Sequence, residues 1–257
     1  MSEFWDELRC STQARIGLGR TGDALPTGRV LEFRAAHAAA RDAVHTPLAV
    51  DEFAARVARV GLGMPSLVRS RAADRSEYLR RPDLGRVPET GAGQGFSELA
   101  ATGADIGFVL ADGLSPRALH DHGPAVLAAL KDELGQQFRL APPVIATQAR
   151  VALGDHIGHA LGVTTVLVLI GERPGLSVAD SLGIYLTHRP RPGRADSERN
   201  CVSNIRPPEG LGYAAAAKVA AGLVIGARRL GRSGVDLKDT SDRSMLSEAD
   251  APVLDAG

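Results

Sequence analysis

Glu172 lies in a tight charged turn, Gly171-Glu-Arg-Pro-Gly175, that breaks an apolar run from Thr164 to Ile170. A carboxylate set directly after a buried strand can accept hydrogen bonds from a ligand amide. In open α/β sheets the carboxyl ends of the strands are where ligands bind. A solvated turn is the plainer alternative, but the position after a buried strand favours ligand contact. Cys201 stands downstream, in an arginine-rich loop that ends in Asn200-Cys-Val-Ser-Asn-Ile205. A thiol becomes a nucleophile when a histidine serves as its base, and His188 is the nearest in sequence. Nothing in the spacing joins the two, so a small thiol packed beside a ligand is the preferred reading.

Other patterns point to chemistry less firmly. His120-Asp-His122 and His156-x-x-His159 have spacings seen in metal sites, yet no third ligand stands at a recognisable distance and no Cys-x-x-Cys supports them. Solvated or capping histidines are expected, and no metal ligand is assigned. Gly17-Leu-Gly19-Arg-Thr-Gly22 spells the dinucleotide fingerprint. It has no strand before it and Pro26 soon after, so it reads as a glycine-rich connector.

Composition narrows the class. The 257 residues carry 30 basic and 30 acidic side chains, a formal net charge of zero, so no global field draws in nucleic acid or an anionic membrane. Aromatics make up 4%, too few for a base-stacking platform. Only Lys131, Lys218 and Lys238 are lysines; the remaining positive charge is arginine. Two cysteines, Cys10 and Cys201, are too few for a disulfide framework. No apolar run approaches the roughly 18–20 residues of a spanning helix, and no signal peptide is read. A soluble cytoplasmic chain is expected.

The elements that must position these residues follow from periodicity. Residues 1–27 read as a leader, with Phe4, Trp5 and Leu8 at helical spacing. Residues 28–95 read as a helical amino-terminal part, with helices over Gly28–Val44 and Val50–Val60, a short turn at Ser76–Leu79, and a Gly/Pro linker over Leu84–Gly95. Residues 96–238 alternate strand and helix. Strands are expected at Asp105–Ala111, Pro143–Thr147, Thr164–Ile170 and Leu182–Thr187, and helices at His120–Leu134, Ala152–Leu161 and Gly212–Leu230. That alternation implies an α/β domain, a parallel Rossmann-like sheet with helices on both faces. Residues 239–257 read as a polar, irregular tail.

Several stretches, weak singly and specific together, resemble the light (small) chain of ethanolamine ammonia-lyase. They are Gln13-Ala-Arg-Ile-Gly-Leu-Gly-Arg20, Leu31-Glu-Phe33 through Ala40-Arg-Asp-Ala-Val-His45, Asp105-Ile to Asp112-Gly-Leu-Ser115, Val168-Leu-Ile-Gly-Glu-Arg-Pro-Gly175 and Arg199-Asn-Cys-Val-Ser-Asn-Ile-Arg206. The resemblance implies one subunit of an adenosylcobalamin enzyme that converts ethanolamine to acetaldehyde and ammonia through a radical. It implies cofactor contacts at Val151, Glu172 and Cys201, no catalytic residue on this chain, and a heavy chain that holds the substrate, with six copies of each. The cobalamin domains that replace the cofactor's own base use Asp-x-His-x-x-Gly. No Asp-x-His occurs here, which fits a base-on cofactor.

Two competitors come from other classes. A stand-alone Rossmann-like oxidoreductase needs a glycine-rich turn after its first strand, and Asp112-Gly-Leu-Ser-Pro116 is not one. An assembly protein would dock through Met1–Arg9, for example to a bacterial microcompartment shell.

Overall fold

The computed structural model describes residues 2–89, 91 and 95–239. In chain order the elements are α1 (Ser2–Cys10), α2 (Thr27–His45), α3 (Val50–Ala58), β1 (Ser66–Arg69), α4 (Arg75–Arg80), β2 (Ile106–Ala111), α5 (Pro116–Leu134), β3 (Val144–Thr147), α6 (Leu153–Ala160), β4 (Thr165–Gly171), β5 (Leu182–His188), β6 (Asn200–Ile205) and α7 (Tyr213–Leu230). The segment of the expected tail beyond Asp239 lies outside the described residues.

Helix ends follow the local chemistry. The Ser115 hydroxyl accepts from the Ala118 amide at 3.2 Å and Pro116 opens α5, where a missing amide hydrogen costs nothing. The Asp74 carboxylate caps α4 by accepting from Glu77 N at 2.8 Å.

One six-stranded sheet organises the chain in the order β1-β3-β2-β4-β5-β6. Side chains alternate between its faces. Ile106, Phe108, Leu110, Leu167, Leu169, Ile184 and Leu186 pack with α3, α5 and α7 on one face. Val109, Ala111, Val144, Ala146, Val166 and Val168 pack with Leu153 and Ile157 of α6 on the other. This two-sided burial explains why β2 and β4 read as unbroken apolar runs. Gly154 lets α6 lie close: a Cβ there would stand 2.3 Å from Val168 Cγ2.

The α/β class stands, but the sheet is mixed. β1, β3, β2 and β4 run parallel. β5 runs antiparallel to β4, and β6 antiparallel to β5. The reason is connection length. A parallel return needs a crossover of a dozen or more residues, usually helical. Residues 172–181 between β4 and β5 are shorter and contain no helix.

Three further differences matter. β1 lies within the segment expected to be helical, yet it pairs along β3 from Ser66↔Val144 to Arg69↔Thr147. The stretch expected as a linker is stitched to the sheet: Glu89 N donates to Arg69 O at 2.9 Å and Arg150 N to Gly85 O at 2.8 Å. Cys201 lies within strand β6, not in a loop.

Candidate functional site

Beyond α6 no helix among the described residues covers the sheet face made by β5 and β6. Leu182, Ile184 and Leu186 of β5 and Val202 and Ile205 of β6 turn to the α5/α7 side. Gly183, Tyr185, Cys201 and Ser203 therefore fall on the opposite face, and Cys201 and Ser203 are exposed. Tyr185 and Cys201 are direct cross-strand partners.

Glu172 follows β4 immediately and folds over this face. Its amide donates to Ser181 O at 2.9 Å. Its carboxylate accepts from Ser181 Oγ and Ser203 Oγ, both at 2.5 Å, and from Asn204 N at 3.3 Å. Asn204 is held at φ 60°, in the left-handed region that asparagine tolerates. Gly183 makes room, since a Cβ there would stand 2.9 Å from Glu172 Oε1. The carboxylate is thus fixed in one orientation, and Oε1, with one donor, keeps a lone pair for a ligand.

The electrostatics keep the neighbours neutral. Burial, then the Cys201 sulfur and Glu172, push the Tyr185 phenol up to about 12. Cys201 is exposed, yet protein crowding around its sulfur is enough to raise the thiol above its ordinary value. Glu172 raises it further, against the pull of the Tyr185 hydroxyl. A neutral thiol is a poor nucleophile. His188 cannot serve it: three residues from Tyr185 along β5, it faces the other side of the sheet. Its ring nitrogen lies 3.2 Å from Thr165 Oγ1, and burial, then nearby arginines, lower its pKa.

Val151 reaches the same face from the turn that opens α6. With Ala152, Arg150, Tyr185, Arg199 and Arg86 it lines a cavity of about 490 Å³. A buried polar frame holds this turn. The Asp112 carboxylate accepts from Gln148 N at 2.8 Å and Ala149 N at 3.0 Å, and Gln148 sits at φ 52°. Burial pushes the Asp112 carboxyl up, opposed by those amides and by Arg75. The Tyr78 hydroxyl donates to Ala149 O at 3.1 Å, and its ring lies between the Arg75 and Arg150 guanidiniums.

So Val151 shares a cavity with Tyr185, Tyr185 faces Cys201, and Glu172 acts on both. Three residues spread over 51 positions of sequence meet on one open sheet face. The histidine pairs do not join them. His122 Nδ1 is 2.9 Å from Tyr213 Oη, and His120 Nδ1 is 3.0 Å from Asp121 Oδ1 on α5. In the glycine-rich Gly17–Gly22 segment Gly17 lies against the Trp5 ring, and no strand directly precedes it. Tyr185, Ser203, Asp112 and Tyr78 escape sequence reasoning. Tyr185 left a trace in the alternation of Leu182-Gly-Ile-Tyr-Leu186, and Asp112 and Ser203 lie in stretches that carry the family likeness, but the sequence singles out none of them.

The chain matches the profile of the ethanolamine ammonia-lyase light chain (EutC) over residues 2–238. It belongs to the ethanolamine ammonia-lyase light-chain family. Proteins named ethanolamine ammonia-lyase small subunit align along nearly its whole length. The one from Rhodococcus erythropolis is 63% identical over 253 residues, covering 98% of this chain and 96% of that protein. Those from Ralstonia nicotianae and Xanthomonas campestris pv. campestris are 46% and 49% identical, covering 92% and 90% of their own lengths. The light-chain match contains every residue of the site. Among the described residues no helix of this family member is long and apolar enough to cross a membrane.

Proposed function

We propose that this chain is the light subunit of an adenosylcobalamin-dependent ethanolamine ammonia-lyase, and that its open β5/β6 face holds the corrinoid. The observation that carries this reading is the convergence of Val151, Glu172 and Cys201 on that face, Val151 in the cavity that Tyr185 also lines and the other two beside Tyr185. The site chemistry fits the group. Glu172 Oε1 can accept from a primary amide of the corrin rim, and Val151 and the neutral Cys201 thiol offer apolar and weakly polar contact. A corrinoid is larger than the 490 Å³ cavity, so the rest of its surface falls to a second chain. No histidine lines the cavity, in keeping with a base-on cofactor.

When bound, adenosylcobalamin supplies the radical chemistry that turns ethanolamine into acetaldehyde and ammonia. This chain's part is to bind, orient and exclude water. No catalytic role is assigned to this chain's residues: Glu172 serves as a hydrogen-bond acceptor and the Cys201 thiol stays neutral. The substrate and the remaining cofactor contacts belong to a large subunit, in an assembly with six copies of each chain. Exposed Phe4, Trp5, Leu8, Leu31 and Phe33 on α1 and α2 support a chain that works within an assembly. The exposed α1 residues also favour a second role for this helix, as an address to a microcompartment shell.

The test is co-expression with the large subunit. The purified pair is expected to carry a visible-region cobalamin spectrum and to deaminate ethanolamine, and the chain alone to do neither. Glu172→Ala and Cys201→Ala should each lower cofactor retention. Retention unchanged in both, or turnover by this chain alone, would contradict the proposal.

A further inference from the structure

Three arginines line the cavity beside Val151, and two are already matched with carboxylates. Arg199 Nη1 lies 2.7 Å from Asp155 Oδ1, and Arg86 Nη2 lies 3.0 Å from Asp196 Oδ2. Arg150 has no carboxylate partner among the described residues. Among the described residues the only oxygen its guanidinium bonds is Tyr78 O, from Nη2 at a long 3.4 Å, and its Nε is buried with no partner. Leaving a buried donor of a charged group unmatched costs free energy. The guanidinium is nevertheless held in place by its stacking on Tyr78, 4.4 Å from the ring centroid.

A second feature points the same way. Among the described residues the amides of Val151 and Ala152 have no protein acceptor. They precede α6, whose N-terminus carries partial positive charge. A fixed guanidinium beside unpaired amides at a helix start is a cradle for a phosphate.

We infer that Arg150, with the Val151 and Ala152 amides, binds the phosphodiester of the corrinoid's nucleotide tail. The inference rests on the cofactor reading above and goes further, by placing the tail in the cavity. The side chains around a corrin ring end in neutral amides, so on a base-on cobalamin the phosphodiester is the fixed anion that an unmatched arginine would select. Arg150 is then a binding residue with no part in the radical step.

The test compares cobalamin with cobinamide, which lacks the phosphate and the nucleotide. Both are titrated into the complex with the large subunit and followed by their visible spectra. Arg150→Gln is expected to weaken cobalamin binding at least about tenfold, the scale of one charge-assisted hydrogen bond, and to leave cobinamide binding unchanged. Arg150→Lys should recover part of the loss. Equal losses for both corrinoids, or no loss for either, would overturn the assignment. On the unmodified complex, cobinamide phosphate should bind more tightly than cobinamide, and added inorganic phosphate should compete with the former alone; equal affinities would also overturn it. A wild-type complex that binds neither corrinoid would instead defeat the cofactor reading itself.

Discussion

Glu172 acts on its neighbours by charge as well as by hydrogen bonding. It sits close enough to raise both the Cys201 thiol and the Tyr185 phenol. Because the folded thiol titrates above its ordinary value, its thiolate fraction stays depressed until the pH passes that raised value. Removing the carboxylate in Glu172→Gln therefore lowers the thiol pKa. Alkylation of Cys201 by iodoacetamide at pH 8 should then speed up, because a larger fraction of the thiol is ionised at that pH. Tyr185→Phe removes the donor that favours the thiolate and should slow the reaction. Mass spectrometry of Cys201 in a Cys10→Ser background checks both, and the reverse order would refute this electrostatic arrangement. Gly183→Ala is a steric counterpart. Its methyl would press on Glu172 Oε1 from 2.9 Å, and the expected outcome is weaker cobalamin retention with an unchanged far-UV circular dichroism spectrum.

At the scale of elements, α6 connects core packing to the site. It lies against β4 through Gly154, and the turn that opens it carries Arg150 and Val151. Gly154→Ala drives a methyl into Val168 Cγ2, so α6 must lift. Overpacking of this kind costs about 1–3 kcal/mol. Urea unfolding should show a lower midpoint with an unchanged slope, and cofactor retention should fall with it. A neutral result would mean that α6 can shift freely on the sheet. The elements also explain which strands were legible. β2 and β4 are buried on both faces and read as apolar runs. In β1 only Val68 is buried, and in β6 only Val202 and Ile205. Neither shows a two-residue period, because edge strands need pack little. So the first escaped notice and the second read as a loop.

For the whole molecule, Arg75 ties the amino-terminal helices to the sheet. Its Nε donates to Val44 O at 2.6 Å, at the end of α2, and its Nη1 to Gly113 O at 2.8 Å, after β2. It also faces the buried Asp112 across 3.9 Å. Arg75→Leu leaves that carboxylate without its cation. Breaking one side of a buried pair costs about 3–5 kcal/mol, so the melting temperature should fall by many degrees. Arg75→Leu with Asp112→Asn should be less damaging than the sum of the two single changes. Strict additivity in that double-mutant cycle would show that the two residues do not interact.

The amino-acid sequence by itself determined the α/β class and the places of α5, α6, α7 and β2 to β5, and family likeness put forward Val151, Glu172 and Cys201 as candidate site residues. These follow from apolar periodicity and local wording, which are properties of neighbouring residues. Only the tertiary structure decided that β5 and β6 turn antiparallel, that no helix among the described residues beyond α6 covers one of their faces, and that Tyr185 and Arg150 line one cavity there. Strand direction and register arise from hydrogen bonds between segments far apart in the chain. An open face is defined by the helix that does not cover it, and no single stretch of sequence records that.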